Sequence, residues 1–381
     1  MNAPMHETRL RSATREVVIG RQHRFCLIGE RINPTGRRIF QDQIKAGDLS
    51  AVERDVKSQV EGGADVLDVN MGVPQVDEAE LLHKVITMIQ ELTDVPLCID
   101  SSVVEALEAG LSAYNGRALV NSITAEDERM EQILPLVKKY DAAVIALPND
   151  VDEIPMEPDK RLALVEKVVR VATTEYGIAI EDIVIDPLAM PIGADVTNGL
   201  ATLETMRRIR DTYGLNMTCG SSNVSFGMPG RHELNGTFLS MAMTSGLTSA
   251  IMDTRTPELV SMVKATDLLL GHDEWGMAWI SRHRAAVAAS NTLTPTGTRT
   301  SRPEGVNESW TRPDPSCGVP PGPSGAWASP SRRTSSRENS GCSGSAGSPR
   351  SAVMSLRPAW RGGPRSRPCP SRRGPAAGRL P

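Results

Sequence analysis

The chain has 381 residues and a formal net charge of −4, yet its two parts differ too much for that average to describe either. From Asn291 to Pro381, 57 of 91 residues are Pro, Gly, Ser or Arg, with 14 Arg, no Lys and 4 acidic residues; the tail therefore carries roughly +10 and the remainder roughly −14. No apolar run is long enough to span a bilayer, and the N-terminal MNAPMHETRLRSATREVV has neither the hydrophobic stretch nor the cleavage site of a secretory signal, which excludes membrane and secreted classes and predicts a cytoplasmic protein.

The tail, 290–381, cannot bury enough apolar surface to offset the entropy of ordering it, and is expected to be disordered. Arg without Lys, mixed with Pro, Gly, Ala and Ser, is the composition of GC-rich DNA translated in an unintended frame, so the tail is read as a frameshift artefact. No function is placed there, nucleic-acid binding included. The preceding residues are read as a short extension, 1–24, and one α/β domain, 25–289, a size that suits a (β/α)8 barrel. Cys26, Cys98 and Cys219 fall on separate predicted strands with no CxxC or Cys/His pair, so they read as free thiols in a reducing compartment.

In chain order, strands are predicted at Phe25–Glu30, Ala64–Asn70, Pro96–Asp100, Ala118–Ser122, Ala142–Pro148, Ile183–Pro187, Asn216–Asn223 and Ser249–Asp253. Each is short, apolar and bounded by Gly, Pro, Asp or Asn, as buried parallel strands are. Between them amphipathic patterns predict helices at Leu49–Glu61, Glu78–Leu92, Val103–Tyr114, Glu128–Tyr140, Pro158–Tyr176, Leu200–Tyr213, Glu233–Ser245 and Pro257–Leu270. The helix at Glu78 shows the pattern best, with Leu81, Leu82, Val85, Ile86 and Ile89 on one stripe. Eight strand–helix repeats make a closed parallel barrel or a large open sheet, and the count and total length favour the barrel.

Barrel chemistry sits where strands end and the following loops begin. Those ends here read Gly29-Glu30-Arg31-Ile32-Asn33, Asp68-Val69-Asn70, Ile99-Asp100-Ser101, Asn121-Ser122, Asp186-Pro187 and Ser222-Asn223. Nearly every strand thus delivers a carboxylate or carboxamide to one rim, with almost no His, no thiol pair and no Lys. Any one of these residues could instead cap a helix or close a turn; six on one rim point to a site. A ring of acceptors and amides suits a flat, neutral, polar heterocycle such as a pterin, whose ring N–H and amino group can share one carboxylate. His83 reads as a surface or packing residue, and Met228, Met241, Met243, Met252 and Met262 read as core fillers.

Taken together and in order, these motifs resemble the pterin-binding barrels shared by methyltetrahydrofolate–corrinoid methyltransferases, the folate domain of methionine synthase and dihydropteroate synthase. With Leu234-Asn235-Gly236-Thr237-Phe238-Leu239, they look most like the methyltransferase branch over roughly Glu16 to Arg284; an ordinary member would end near Arg282–Ala289. The resemblance implies that Asp100, Asn121 and Asp186 hold the pterin ring, with Asp68, Asn70, Glu30 and Asn33 as further binding positions. It places Asn223 near N5 as the catalytic group. It further implies methyl transfer between N5 of methyltetrahydrofolate and the cobalt of a cobalamin-type corrinoid carried by a partner protein, a homodimer, and no metal site of the chain's own.

Dihydropteroate synthase is the alternative on the same fold. It needs a Lys near the seventh strand and a Ser-Arg pair after it, and Thr218-Cys219-Gly220-Ser221-Ser222-Asn223 has no Lys. A non-catalytic corrinoid-carrying module is a third reading. It needs an Asp-x-His-x-x-Gly run, and His272-Asp273 stands in the wrong order. Direction of transfer, the partner and the original methyl donor are not written in these residues.

Overall fold

The structure, a computed structural model, describes residues 3–151 and 154–292; the tail from residue 293 onward lies outside the described residues. Its centre is an eight-stranded parallel sheet of β3 (Cys26–Ile32), β4 (Val66–Asn70), β5 (Leu97–Asp100), β6 (Leu119–Thr124), β7 (Ala143–Leu147), β8 (Ile183–Ile185), β9 (Asn216–Met217) and β10 (Ser249–Met252). Neighbours follow chain order, and β10 returns to pair with β3. The seam between β9 and β10 is closed by Ile251 N donating to Cys219 O (3.0 Å) and Ser221 N donating to Ile251 O (3.0 Å). The expected (β/α)8 barrel is therefore closed.

Helices α2 (Ser50–Glu61), α3 (Glu78–Leu92), α4 (Val104–Ala113), α5 (Asp127–Lys139), α6 (Pro158–Thr174), α7 (Asn198–Thr212), α8 (Arg231–Ser245) and α9 (Pro257–Leu269) follow the strands in turn. The expected α3 has these bounds because its start carries a cap and its apolar stripe is continuous. The Asp77 carboxylate accepts from Glu80 N (3.0 Å) at the start, and the five-residue apolar stripe is buried. The end of α2 shows why Gly62 stands there: a Cβ at that position would lie 2.2 Å from the Thr254 carbonyl in the loop after β10.

Side chains alternate along each strand, as the pleat requires. Leu27, Leu67, Val69, Leu97, Ile99, Val120, Val144 and Ile183 face outward into the layer under the helices. Cys26, Ile28, Val66, Cys98, Leu119, Ala143, Ile145 and Val184 face inward and fill the lumen. The lower half of the barrel is a packed core rather than a pore.

Two helices and a hairpin, besides two short 3-10 turns, went unread in the sequence. Helix α1 (Arg38–Lys45) is too short to show a period, and only Phe40 and Ile44 of it are buried. Helix α10 (Met277–Thr292) is fixed at its start by Asp273, whose carboxylate accepts from Ala278 N (3.0 Å) and Trp279 N (2.9 Å). The third is an antiparallel hairpin, β1 (Thr8–Arg11) and β2 (Glu16–Ile19), within the segment read only as an extension. Its Leu10 and Ile19 are fully buried among the lumen residues, so the hairpin plugs the amino-terminal mouth. Asn216 Nδ2 ties it down by donating to Ile19 O (2.8 Å), Thr8 Oγ1 (3.0 Å) and His6 O (3.2 Å). Arg117 adds Nη1 to Arg9 O (2.8 Å) while its Nη2 pairs with Asp182 (2.6 Å).

A plug whose two apolar side chains complete the lumen carries stability. Leu10→Ala is expected to cost about 3 kcal/mol, within the range for large-to-small core changes, read as a lower urea midpoint with unchanged slope. A midpoint shift equivalent to less than about 1 kcal/mol would show that the hairpin is peripheral.

Candidate active site at the barrel mouth

Inward positions turn from apolar to polar as each strand rises to its carboxyl end. Asp68 follows Val66, Asp100 follows Cys98, Asn121 follows Leu119 and Asp186 follows Val184, each two residues on and therefore on the same face. The ladder sets their heights: Asn70 is in register with Asp100, Asp100 with Asn121, and Asp68 with Cys98. Three neighbouring strands thus present carboxamide, carboxyl and carboxamide at one level, with Asp68 one layer deeper.

These side chains bond to one another. Asn121 Nδ2 donates to Asp68 Oδ1 (3.1 Å), and the Cys98 thiol also bonds to Asp68. Asn70 bonds to Asp100 through its side chain while its Oδ1 accepts from Gly72 N (3.0 Å). Burial pushes the Asp100 carboxyl well up, and the charges of Asp68 and then Glu78 push the same way. Asp68 is likewise raised, by burial, against the hydrogen bonds from Asn121 and Cys98. The two carboxyls are close enough that ionising one disfavours ionising the other.

Asp186 stands across the mouth. Its Oδ1 accepts from Leu188 N (2.8 Å), and burial raises its pKa to about 6 against that bond and the nearby Arg161 charge. Arg161, in the first turn of α6, is fully buried behind it. Its Nε donates to Pro155 O (2.8 Å) and its Nη1 to Pro187 O (2.8 Å) and Leu188 O (3.0 Å), so one guanidinium shapes the loop that carries Asp186. Sequence reading missed Arg161 because an Arg in an amphipathic helix reads as surface.

Glu30 ends the inward face of β3, and its pKa is raised to about 7 by burial first and then by the charge of Asp253. Asp253 itself stays below its ordinary value: burial opposes ionisation but is outweighed by Arg255 (Nη2, 2.8 Å) and Gln59 (Nε2, 2.9 Å). Asn33 is not brought to this floor; its Oδ1 accepts from Thr35 N (2.9 Å) and closes a turn in the loop after β3. Asn223 is exposed on the loop after β9, its amide lying over Gly220, where a Cβ would sit 2.9 Å from Nδ2. Arg231 braces that loop, Nη2 donating to Ser222 O (2.8 Å) and Nε to Ser225 Oγ (3.0 Å).

The arrangement is a floor of alternating acceptors and amides, with carboxyls that hold protons near neutrality, beneath one exposed carboxamide. It can bind a planar, nitrogen-rich ligand through paired hydrogen bonds and can donate as well as accept. Among the described residues, no group of three or more His, Cys, Asp or Glu is disposed to hold a metal ion, and no helix is long and apolar enough to cross a membrane. A cavity of about 340 Å³ lies at the other end, between the hairpin and Lys264, Asp267 and Trp279. It contains none of these groups, and chemistry in such barrels belongs to the carboxyl ends of the strands.

Residues 29–253 match the family of pterin binding enzymes. The chain belongs to that family. It is 31% identical over 250 residues to a methylcorrinoid:tetrahydrofolate methyltransferase of Eubacterium limosum, covering 65% of this chain and 92% of that one. It is 28% identical over 238 residues to the methionine synthase of Mycobacterium leprae (strain TN); the match covers 59% of this chain and 20% of that far longer protein. Among solved structures it is similar to dihydropteroate synthase of Xanthomonas albilineans with 4-aminobenzoic acid (TM-score 0.53, 19% identity, 69% of this chain, 98% of that). The same enzyme with 7,8-dihydropteroate gives a TM-score of 0.51 at 19% identity, over 68% and 98% of the two chains. At that identity the likeness is one of fold, and the matched segment of this pterin-binding chain runs from the β3 rim to Asp253.

Glu30 offers a check on this electrostatic picture. A carboxyl whose pKa rises on folding binds its proton more tightly in the folded chain, so stability falls as pH climbs from the unfolded value toward about 7 and the loss is complete above it. Glu30→Gln removes the ionisable group. The variant is expected to melt higher than wild type at pH 8 and at the same temperature at pH 4. Parallel melting curves across that range would contradict the raised carboxyl.

Proposed function

We propose that this chain moves a methyl group between N5 of 5-methyltetrahydrofolate and the cobalt of a corrinoid held by a partner protein, with the pterin ring bound at the barrel mouth. The observation that carries the reading is the interlinked floor of Asp68, Asn70, Asp100 and Asn121 facing Asp186, in a chain so similar to a methylcorrinoid:tetrahydrofolate methyltransferase. Asp100, Asn121 and Asp186 hold the pterin ring. Asp68 engages the Asn121 amide N–H, which leaves Asn121 Oδ1 for the ligand. Asn70 and Glu30 complete the polar wall, and Asn33 serves from the rim loop.

Methyl transfer leaves nitrogen as a poor leaving group unless a proton or hydrogen bond takes up the developing charge. An interaction that strengthens as charge develops lowers the barrier rather than merely binding substrate. A carboxamide has no proton to release at neutral pH, so Asn223 orients and polarises N5. The net proton comes from solvent or the hydrogen-bonded network, in which Glu30 and Asp100 keep protons near neutrality. The corrinoid supplies the cobalt that accepts or donates the methyl group. The same floor serves both directions, because a catalyst speeds both.

The dihydropteroate-forming alternative finds no support at the loop after β9, where Thr218–Asn223 carries no Lys. A cytoplasmic setting fits the three free buried thiols. A homodimer is part of the proposal on resemblance alone.

The test uses the full chain with methyltetrahydrofolate and chemically reduced free cobalamin, followed by absorbance. Protein-dependent loss of the reduced-cobalamin band with growth of methylcobalamin is expected. Asp186→Asn should weaken folate binding about tenfold or more, as loss of a charged hydrogen bond does. Asn223→Ala should lower kcat by about 10²-fold with a smaller change in binding. A wild-type chain that neither binds folate nor transfers methyl would remove the proposal.

A further inference from the structure

We infer that Thr124 and Asn149, on the β6–β7 wall of the mouth, are a further pair of folate-contacting residues that accept and donate hydrogen bonds to the bound ligand. The inference rests on reading the mouth as a folate site. Thr124 is the last residue of β6 and is in register with Leu147, whose side chain packs against the lumen cluster, so Thr124 faces the lumen as well. The ladder shifts between Asn121 and Ile123, which gives β6 a second inward polar position above Asn121. Asn149 comes two residues after β7, and its main-chain carbonyl accepts from Ala125 N (2.9 Å), which holds it beside Thr124.

The side chains of both are unsatisfied. Thr124 Oγ1 and Asn149 Oδ1 are buried and have no hydrogen-bond partner among the described residues. Buried polar atoms are nearly always paired, because leaving one unpaired forfeits the water it gave up. Other rim groups have partners within the fold, such as Asn121 with Asp68, Asn70 with Gly72 and Asp186 with Leu188, while Thr218 Oγ1 beside Asp186 is unpaired as well. Two orphans side by side on the lumen wall mark a place where the partner comes from outside. Asn149 Oδ1 calls for an N–H donor, and the Thr124 hydroxyl can donate or accept. A reduced folate carries N–H groups and a carbonyl along one edge. The primary amides around a corrinoid ring offer the same N–H chemistry from the partner's side, and the experiment separates the two.

An atom that costs the free protein stability and serves the ligand has a distinctive signature: removing it should weaken binding without weakening the fold. The full chain, T124V and N149L are compared for tetrahydrofolate affinity by calorimetry, for melting temperature, and for transfer kinetics with free cobalamin. T124S retains the hydroxyl as a control. Each of T124V and N149L is expected to raise the folate Kd and the KM for methyltetrahydrofolate about tenfold, with kcat within about twofold. Melting temperatures should be unchanged or higher, and T124S should bind like wild type. Wild-type affinity in both variants would overturn the assignment. So would weaker binding with a melting point lowered by several degrees, which marks a structural role. Unchanged folate affinity with a raised KM for cobalamin would overturn it in favour of the corrinoid. No folate binding by the wild type would overturn the proposed function together with this inference, and would show before any substitution is made.

Discussion

The depth of each inward side chain is set by the hydrogen-bond register of the closed parallel ladder. A strand cannot slide by one residue without turning its inward set outward, and closure between β9 and β10 couples that restriction around the ring. This is why Asn70, Asp100 and Asn121 stand level on three different strands, and why Asp68 lies one layer below where Asn121 can reach it. The site's electrostatics follow from the same geometry. Carboxyls held at fixed depth in a narrow mouth lose water and face one another, and both effects favour the protonated form.

The two ends of the barrel solve opposite problems. At the amino-terminal end the lumen must be kept dry, and the hairpin supplies Leu10 and Ile19 to finish a core that the eight short strands leave open. At the carboxyl end the lumen must stay polar and open, and the cost of burying carboxyls is met by amides, backbone N–H groups and buried Arg161. Groups that the fold leaves unpaired at this end, Thr124 and Asn149 among them, then become informative, because their neighbours Asn121 and Asp186 have partners.

A floor of this kind, read as the pterin site we propose, does not by itself determine a reaction. Related barrels condense dihydropterin with an aromatic amine or pass a methyl group onward, and the differences lie in the loops above the floor. Here the loop after β9 offers Asn223 over Gly220, braced by Arg231, where a condensing enzyme would want a lysine. In the proposed reaction, a neutral carboxamide there suits a step in which the nitrogen must be oriented and polarised without being permanently charged.

Much of this is legible in the sequence. Short apolar runs bounded by Gly, Pro, Asp or Asn located all eight barrel strands, and their places at the strand ends put Asp100, Asn121 and Asp186 on one rim, because where a strand ends is written locally. Glu30 and Asp68 were legible in the same way. The hairpin was not: four-residue strands such as Thr8–Arg11 carry too little pattern, and their burial depends on a lumen built from residues far along the chain. Nor were Arg161, whose role depends on which face of α6 packs against the loop after β8, or the pairing of Asn121 with Asp68. Local chemistry written every second residue chose the fold and the polar rim. Which groups bond to each other, which are left unpaired, and which carboxyls keep their protons depend on distances across the barrel, and those exist only once the ladder has closed.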